Sequence, residues 1–125
     1  MKDQPVNITP AEWEIMEVLW QRSPLSAAEI YESLQTQTDW SIKTLRSFLD
    51  RLVQKKAVHK KKVHGMNVFD PLPKRSQCLR QESESFLHRF FKGNAVSLVR
   101  HFVEQETLSD QDIARLQAFL EKKKE

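Results

Sequence analysis

The chain has 125 residues, enough for one ordinary domain or two small modules, and 39% of them are hydrophobic. Its single cysteine, Cys78, excludes an intrachain disulfide framework. No apolar run approaches the roughly 20 residues that span a bilayer, and the opening "MKDQPVNITP" has no apolar segment of signal-peptide type. A soluble cytoplasmic protein without membrane insertion is expected. Two glycines, with abundant Leu, Glu, Lys and Gln, favour a mainly helical fold. The net charge of +3 says little, but its distribution says more. Met1 to Trp40 holds two Lys/Arg against seven Asp/Glu, whereas Ser41 to Gly65 holds eight Lys/Arg against one acid, Asp50. Such a local excess points to a polyanion.

In chain order, "TPAE" predicts a first helix. Thr9 is the N-cap, Pro10 the first helical residue, and Glu12 closes a capping box. Trp13, Met16, Leu19 and Trp20 recur at helical spacing, Ile15 and Val18 widen the apolar side, and "RSP" at 22–24 ends the helix. "SAAE" repeats the box with Ser26 and Glu29, followed by Ala27, Ile30, Tyr31 and Leu34 on the apolar side. After "QTQTD", Ser41 caps a third helix running to about Lys55. Its apolar side is Ile42, Leu45, Phe48, Leu49, Leu52 and Val53. At 100° per residue, Lys43, Ser47, Asp50 and Gln54 lie opposite, with Thr44 and Arg51 on one flank and Arg46 on the other.

Val58, Val63, Val68 and Phe69 around His64-Gly65 read as two short strands in a hairpin, ended by Pro71 and Pro73. Helical spacing then resumes. Leu79, Phe86, Leu87, Phe90 and Phe91 form one stripe, stopped by "KGN". Ala95, Leu98, Val99, Phe102 and Val103 form a second. Ser109 caps a third helix with Ile113, Leu116, Phe119 and Leu120 inward. There is no internal repeat.

Three helices and a basic hairpin are the layout of a winged helix-turn-helix, in which the third helix enters the major groove. The fold expected is therefore mainly α with a small β-hairpin: a winged-helix DNA-binding domain over 1–72, then a helical dimerisation domain over 73–125. Lys43, Thr44 and Arg46 are the candidate base readers, since Arg pairs with guanine and the Thr methyl meets thymine. Ser26, Ser41, Ser47, Arg51, Lys55, Lys60, Lys61, Lys62 and His64 are the candidate phosphate and wing contacts. The last three helices make a poor core alone, so Phe86, Phe90, Leu98, Phe102, Ile113, Leu116 and Leu120 are expected to bury against a second copy, suiting a palindromic duplex. Folding back onto the winged helix is the alternative. For the basic surface as a whole, the alternative is a protein-interaction module whose basic face binds acidic partners or a membrane surface.

"ITPAEWEIMEVLW" and "DWSIKTLRSFLDRLVQKKAV" resemble the penicillinase-repressor family, which includes methicillin-resistance repressors and copper-responsive operon repressors. The likeness continues through "FLHRFFKGNAVSLVRHFVEQETLSDQDIARLQAFLEKKK". It implies a homodimeric transcriptional repressor bound to operators with inverted TACA/TGTA half-sites. By position it implies groove reading by Lys43, Thr44 and Arg46, phosphate contacts from Arg51 and the wing lysines, and packing by Trp40. In the antibiotic-responsive branch a signal ends with a protease cutting an Asn-Phe bond. The matching pair here is His101-Phe102, with His in place of Asn, and Phe102 also reads as a core residue. The copper-responsive branch carries Cys-x-Cys pairs after the last helix, and this sequence stops at "EKKKE"; a copper repressor lacking, or cut before, that tail is the other reading within the family. One cysteine cannot supply a Cu(I) thiolate site, so no metal and no cofactor are expected. No glycine-rich phosphate loop, HExxH or ordered Ser/His/Asp set stands out, and no enzyme is expected.

Overall fold

The computed structural model describes residues 6–125. It contains six helices and one hairpin: α1 Pro10–Gln21, α2 Ala27–Leu34, α3 Ile42–Gln54, β1 Val58–Val63, β2 Met66–Pro71, α4 Arg75–Phe91, α5 Ala95–Glu104 and α6 Asp110–Lys124. The described residues form two compact units, one ending at Gln81 and the other covering Glu82–Glu125.

In the first unit, both expected capping boxes form. Thr9 Oγ1 accepts from the Glu12 amide at 3.2 Å while the Thr9 amide donates to Glu12 Oε1 at 3.0 Å. Ser26 and Glu29 repeat this at 3.2 and 2.9 Å. Each box satisfies two backbone donors that a helix start otherwise leaves open. The three helices then close a core around Ile15, Met16, Leu19, Ile30, Leu34, Leu45, Leu49 and Leu52. Trp13 and Trp20 meet edge to face at 5.2 Å along its border.

Helix α3 stops in a Schellman motif. The Ala57 amide bonds to Leu52 O at 2.9 Å and the Lys56 amide to Val53 O at 3.0 Å, with Lys56 at φ 64°. A lysine holds the left-handed position that glycine favours. The strands pair antiparallel from Val58↔Pro71 to Val63↔Met66. His64 and Gly65 both have positive φ, 52° and 80°, the type I′ arrangement that matches strand twist. Leu25 adds a short third edge, exchanging backbone bonds with Phe69 at 2.8 and 3.2 Å. Val58, Val68 and Phe69 are buried as expected, but Val63 is exposed, because its pairing with Met66 puts it at the hairpin tip beyond the core.

The hairpin ends at Pro71, and the chain is drawn back to α1. Trp20 Nε1 donates to Pro73 O at 3.0 Å, and Arg75 grips Glu17 with two bonds of 2.8 and 3.1 Å. Those Arg75 bonds hold the Glu17 carboxyl below its usual pKa. Cys78 is buried in this core and Gln81 Nε2 donates to Val6 O at 3.2 Å. The first turns of α4 therefore pack with the N-terminal unit, beyond the boundary at 72/73 that the prolines suggested.

In the second unit, Asn94 caps α5 through Ser97, and Ser109 and Asp112 form a third capping box at the start of α6. Neither α5 nor α6 has a buried residue. Among the described residues no helix is long and apolar enough to cross a membrane.

Candidate nucleic-acid interface

Helix α3 is two-faced. Leu45, Leu49 and Leu52 hold it in the core, while Lys43, Thr44, Arg46, Ser47, Asp50 and Arg51 are exposed. Trp40, just before the helix, packs on Phe48 with ring centroids 5.0 Å apart and so fixes the entry angle of the chain. Arg51 lies 5.7 Å above the Phe48 ring, a cation–π contact that leaves its guanidinium edges facing solvent.

The wing lysines separate by face, because side chains alternate along a strand. Lys60 and Lys62 share a face with their partners Phe69 and Asn67. Lys61 lies on the other face and meets Asp70 at 3.3 Å. An open groove runs between the start of α2, the exposed side of α3 and the hairpin, lined by Ala27, Ala28, Arg46, Asp50, Lys60 and Asn67. Arg46 and Lys60, far apart in sequence, are thus on one surface.

Three expected phosphate contacts are occupied within the chain. Ser26 is only 5% exposed, and both its hydroxyl and its amide serve the capping box. Ser26 lines the groove together with Ala27 and Ala28. Ser41 accepts from the Thr44 amide and donates to Thr44 Oγ1, both at 3.1 Å, so it orients Thr44. Lys55 turns inward: its ammonium donates to Asn7 O at 2.7 Å and to Glu12 Oε1. Glu12 is fully buried, and its second oxygen, Oε2, has no hydrogen-bond partner among the described residues. Burial pushes the Glu12 pKa up, but hydrogen bonds from Lys55 and Thr9 and the Lys55 charge outweigh it, and the net shift is downward. Lys55 is needed there because a buried carboxylate without a cation is costly. Sequence reasoning did not single out Asn67, Ala27 or Ala28 as groove-lining residues, since only the fold brings the wing beside α2 and α3.

In the second unit, Phe86, Phe90, Phe91, Leu98, His101 and Phe102 line an open apolar hollow. The rings touch in sequence: Phe86–Phe90 at 5.0 Å, Phe91–His101 at 5.8 Å and His101–Phe102 at 5.9 Å. Phe90 remains 58% exposed and Leu120 is also open to solvent, whereas Leu98, Ile113 and Leu116 are half-buried. Val96 and Phe119, outside the expected dimerisation set, are more exposed still, at 70% and 65%. The His101-Phe102 bond lies inside α5, whose backbone is closed by bonds from Gln105 N to His101 O and from Thr107 N to Phe102 O, both at 2.9 Å. Among the described residues no group of three His, Cys, Asp or Glu is placed to hold a metal ion.

Comparison with known proteins gives this surface its context. The chain is 37% identical to the methicillin resistance regulatory protein MecI of Staphylococcus aureus, covering 98% of this chain and 100% of that protein. It is 36% identical to the penicillinase repressor of Bacillus licheniformis, over 99% and 96%. The solution structure of the monomeric form of Bacillus licheniformis BlaI in complex with the blaP half-operator superposes with a TM-score of 0.53 and 31% identity, over 59% of this chain and 90% of that one. The penicillinase repressor family model matches residues 8–122. The chain belongs to the penicillinase repressor family.

Proposed function

We propose that the protein is a homodimeric transcriptional repressor that binds a palindromic operator of the inverted TACA/TGTA type, each winged-helix unit reading one half-site. The observation that carries this is the groove in which Arg46 of α3 and Lys60 of the wing share one exposed surface while the opposite side of α3 is sealed in the core. The likeness to a chain solved on a half-operator supports the same reading. Lys43, Thr44 and Arg46 meet base edges from the first turns of α3, with Thr44 oriented by Ser41. Ser47, Arg51, Lys60, Lys62 and His64 serve phosphates, and Lys61 contributes less because Asp70 shares its charge. Lys55 is left out of the set.

The second unit is the dimerisation domain in this reading, because its aromatic hollow and exposed apolar side chains need a cover that three short helices do not supply. A signal relieves repression. If a protease delivers it at His101-Phe102, α5 must first open locally, because the bond sits in closed helical backbone.

The test is equilibrium binding to a labelled duplex carrying inverted TACA/TGTA half-sites and to a scrambled duplex, across a salt series. Arg46→Ala is expected to weaken palindrome binding by about 1–3 kcal/mol and to narrow the gap between the two duplexes. Lys62→Ala is expected to weaken both alike and to lower the salt slope by about 1 per protomer. Equal binding of wild type to both duplexes at every salt concentration would overturn the repressor reading.

A further inference from the structure

We infer that Asp50 is a further base-selecting residue: on the strand it faces, its carboxylate chooses a base with an exocyclic amino donor, cytosine or adenine, over guanine or thymine, about two steps along the major groove from the base addressed by Arg46. The inference rests on the repressor reading above.

Asp50 is the one acid among the eight Lys/Arg between Ser41 and Gly65, and it is exposed. It is not on the margin of the basic surface. On α3 it lies between the Arg46 flank and the Thr44–Arg51 flank, and it lines the groove with Arg46, Lys60 and Asn67. When a helix enters a major groove, the side turned away from its own core faces the base edges. The chain thus places an acceptor on that side of α3, beside the base readers Lys43 and Arg46.

The carboxylate also arrives unneutralised. Arg46 is four residues before it, the spacing at which a helical ion pair forms, yet among the described residues the Asp50 carboxylate has no hydrogen bond or ion pair. An ionised carboxylate only accepts hydrogen bonds. Facing guanine N7 and O6 or thymine O4, all acceptors, it would be desolvated against lone pairs. Facing cytosine N4 or adenine N6, it receives an N–H. Asp50 therefore rewards one kind of base edge and penalises phosphate, which lowers affinity for arbitrary duplexes. The spacing follows from the helix. Four residues rise about 6 Å along its axis, and base pairs stack at about 3.4 Å, which separates the two readers by about two steps.

The experiment is selection from a duplex library with an inverted TACA/TGTA core and randomised positions within and around it. Full-length wild type, Asp50→Ala, Asp50→Asn and Arg46→Ala are run in parallel, and affinities are then measured on the selected and a random duplex. Arg46→Ala marks its own base. Asp50→Ala is expected to erase the preference, about tenfold, at one other position roughly two steps away, and to bind random duplex several-fold tighter. Asp50→Asn is expected to move that position toward adenine, which an amide pairs with through N6 and N7. Wild-type enrichment of cytosine or of adenine at that position tells which amino group is read. Unchanged preference there in both Asp50 variants overturns the inference, even if random-duplex affinity rises. A wild type that enriches no sequence sinks the repressor reading and this inference with it, whereas a palindrome kept by wild type and both Asp50 variants with the preference at that one position also unchanged sinks the inference alone.

Discussion

The unit ending at Gln81 and the unit beginning at Glu82 use their apolar residues differently. In the first, α1, α2, α3 and the hairpin each turn a face inward, and Ile15, Met16, Ile30, Leu45 and Leu52 are cut off from solvent. In the second, helices with aromatic stripes as strong as those of the first leave Phe86, Phe90, Val96 and Phe119 open. Amphipathic patterning shows which side of a helix seeks cover. It does not show whether the same chain can provide that cover. Three helices with a hairpin and the start of α4 can enclose a core, whereas the short set after Gln81 cannot bury even one residue of α5 or α6.

The largest expected effects come from breaking the sealed core. Leu45→Ala, at a fully buried position of α3, is expected to cost about 3–4 kcal/mol of unfolding free energy. Denaturant melts should show a loss that does not depend on protein concentration. It would also disturb the helix that carries Thr44 and Arg46, so duplex binding should fall with it.

Lys55→Met tests the ionic seal at the edge of that core. It leaves the buried Glu12 carboxylate without its cation, at a cost of about 3 kcal/mol at neutral pH, without changing the salt slope of duplex binding. The sign with pH follows from the shifts. In wild type the Glu12 pKa is lowered from its ordinary 4.5, so the stability it contributes is complete above that pH and is lost as pH falls through the folded-state value. In the variant, burial acts without Lys55 and penalises the ionised form. The stability gap between the two proteins should therefore begin to close as pH falls toward about 4.5 and go on closing below it, measured by denaturant melts across pH. A gap that widens there would break the assignment.

Phe90→Ala probes the open unit. Its cost is expected to be about 2 kcal/mol and to appear in assembly instead of in the core. Sedimentation should show a dimer that dissociates at roughly thirtyfold higher concentration. A melting temperature that responds to protein concentration in wild type and less so in the variant would sharpen the contrast with Leu45. The smallest effect is a gain. Lys56 sits at φ 64°, where a Cβ is strained, so Lys56→Gly is expected to stabilise the N-terminal unit by about 0.5 kcal/mol once the greater freedom of glycine in the unfolded chain is counted.

Local chemistry was legible in the sequence wherever partners lie within a few residues. The capping boxes at Thr9 and Ser26, the Ser41 and Ser109 caps, the apolar side of α3 and the His64-Gly65 turn all depend on neighbours in the chain, and each forms as its residues imply. The three helices and hairpin, and through them the winged layout, follow from that local grammar. The likeness to the penicillinase repressors was carried by motifs that are likewise continuous in the chain.

What only the tertiary structure decided concerns residues that meet across long separations. Lys55 reads as one more basic residue at the end of α3, yet it closes on Glu12, 43 positions earlier. Lys61 differs from Lys60 and Lys62 only once strand pairing assigns faces and brings Asp70 beside it. Ser26 looks like an anion-binding helix start and does line the groove, but packing buries it and the capping box takes both its hydroxyl and its amide. Composition determines how much positive charge the chain carries and periodicity determines which face carries it. Whether a given charge stays available to a partner depends on what the folded chain places within a few ångströms of it, because ion pairing and desolvation act over that distance and are blind to sequence separation.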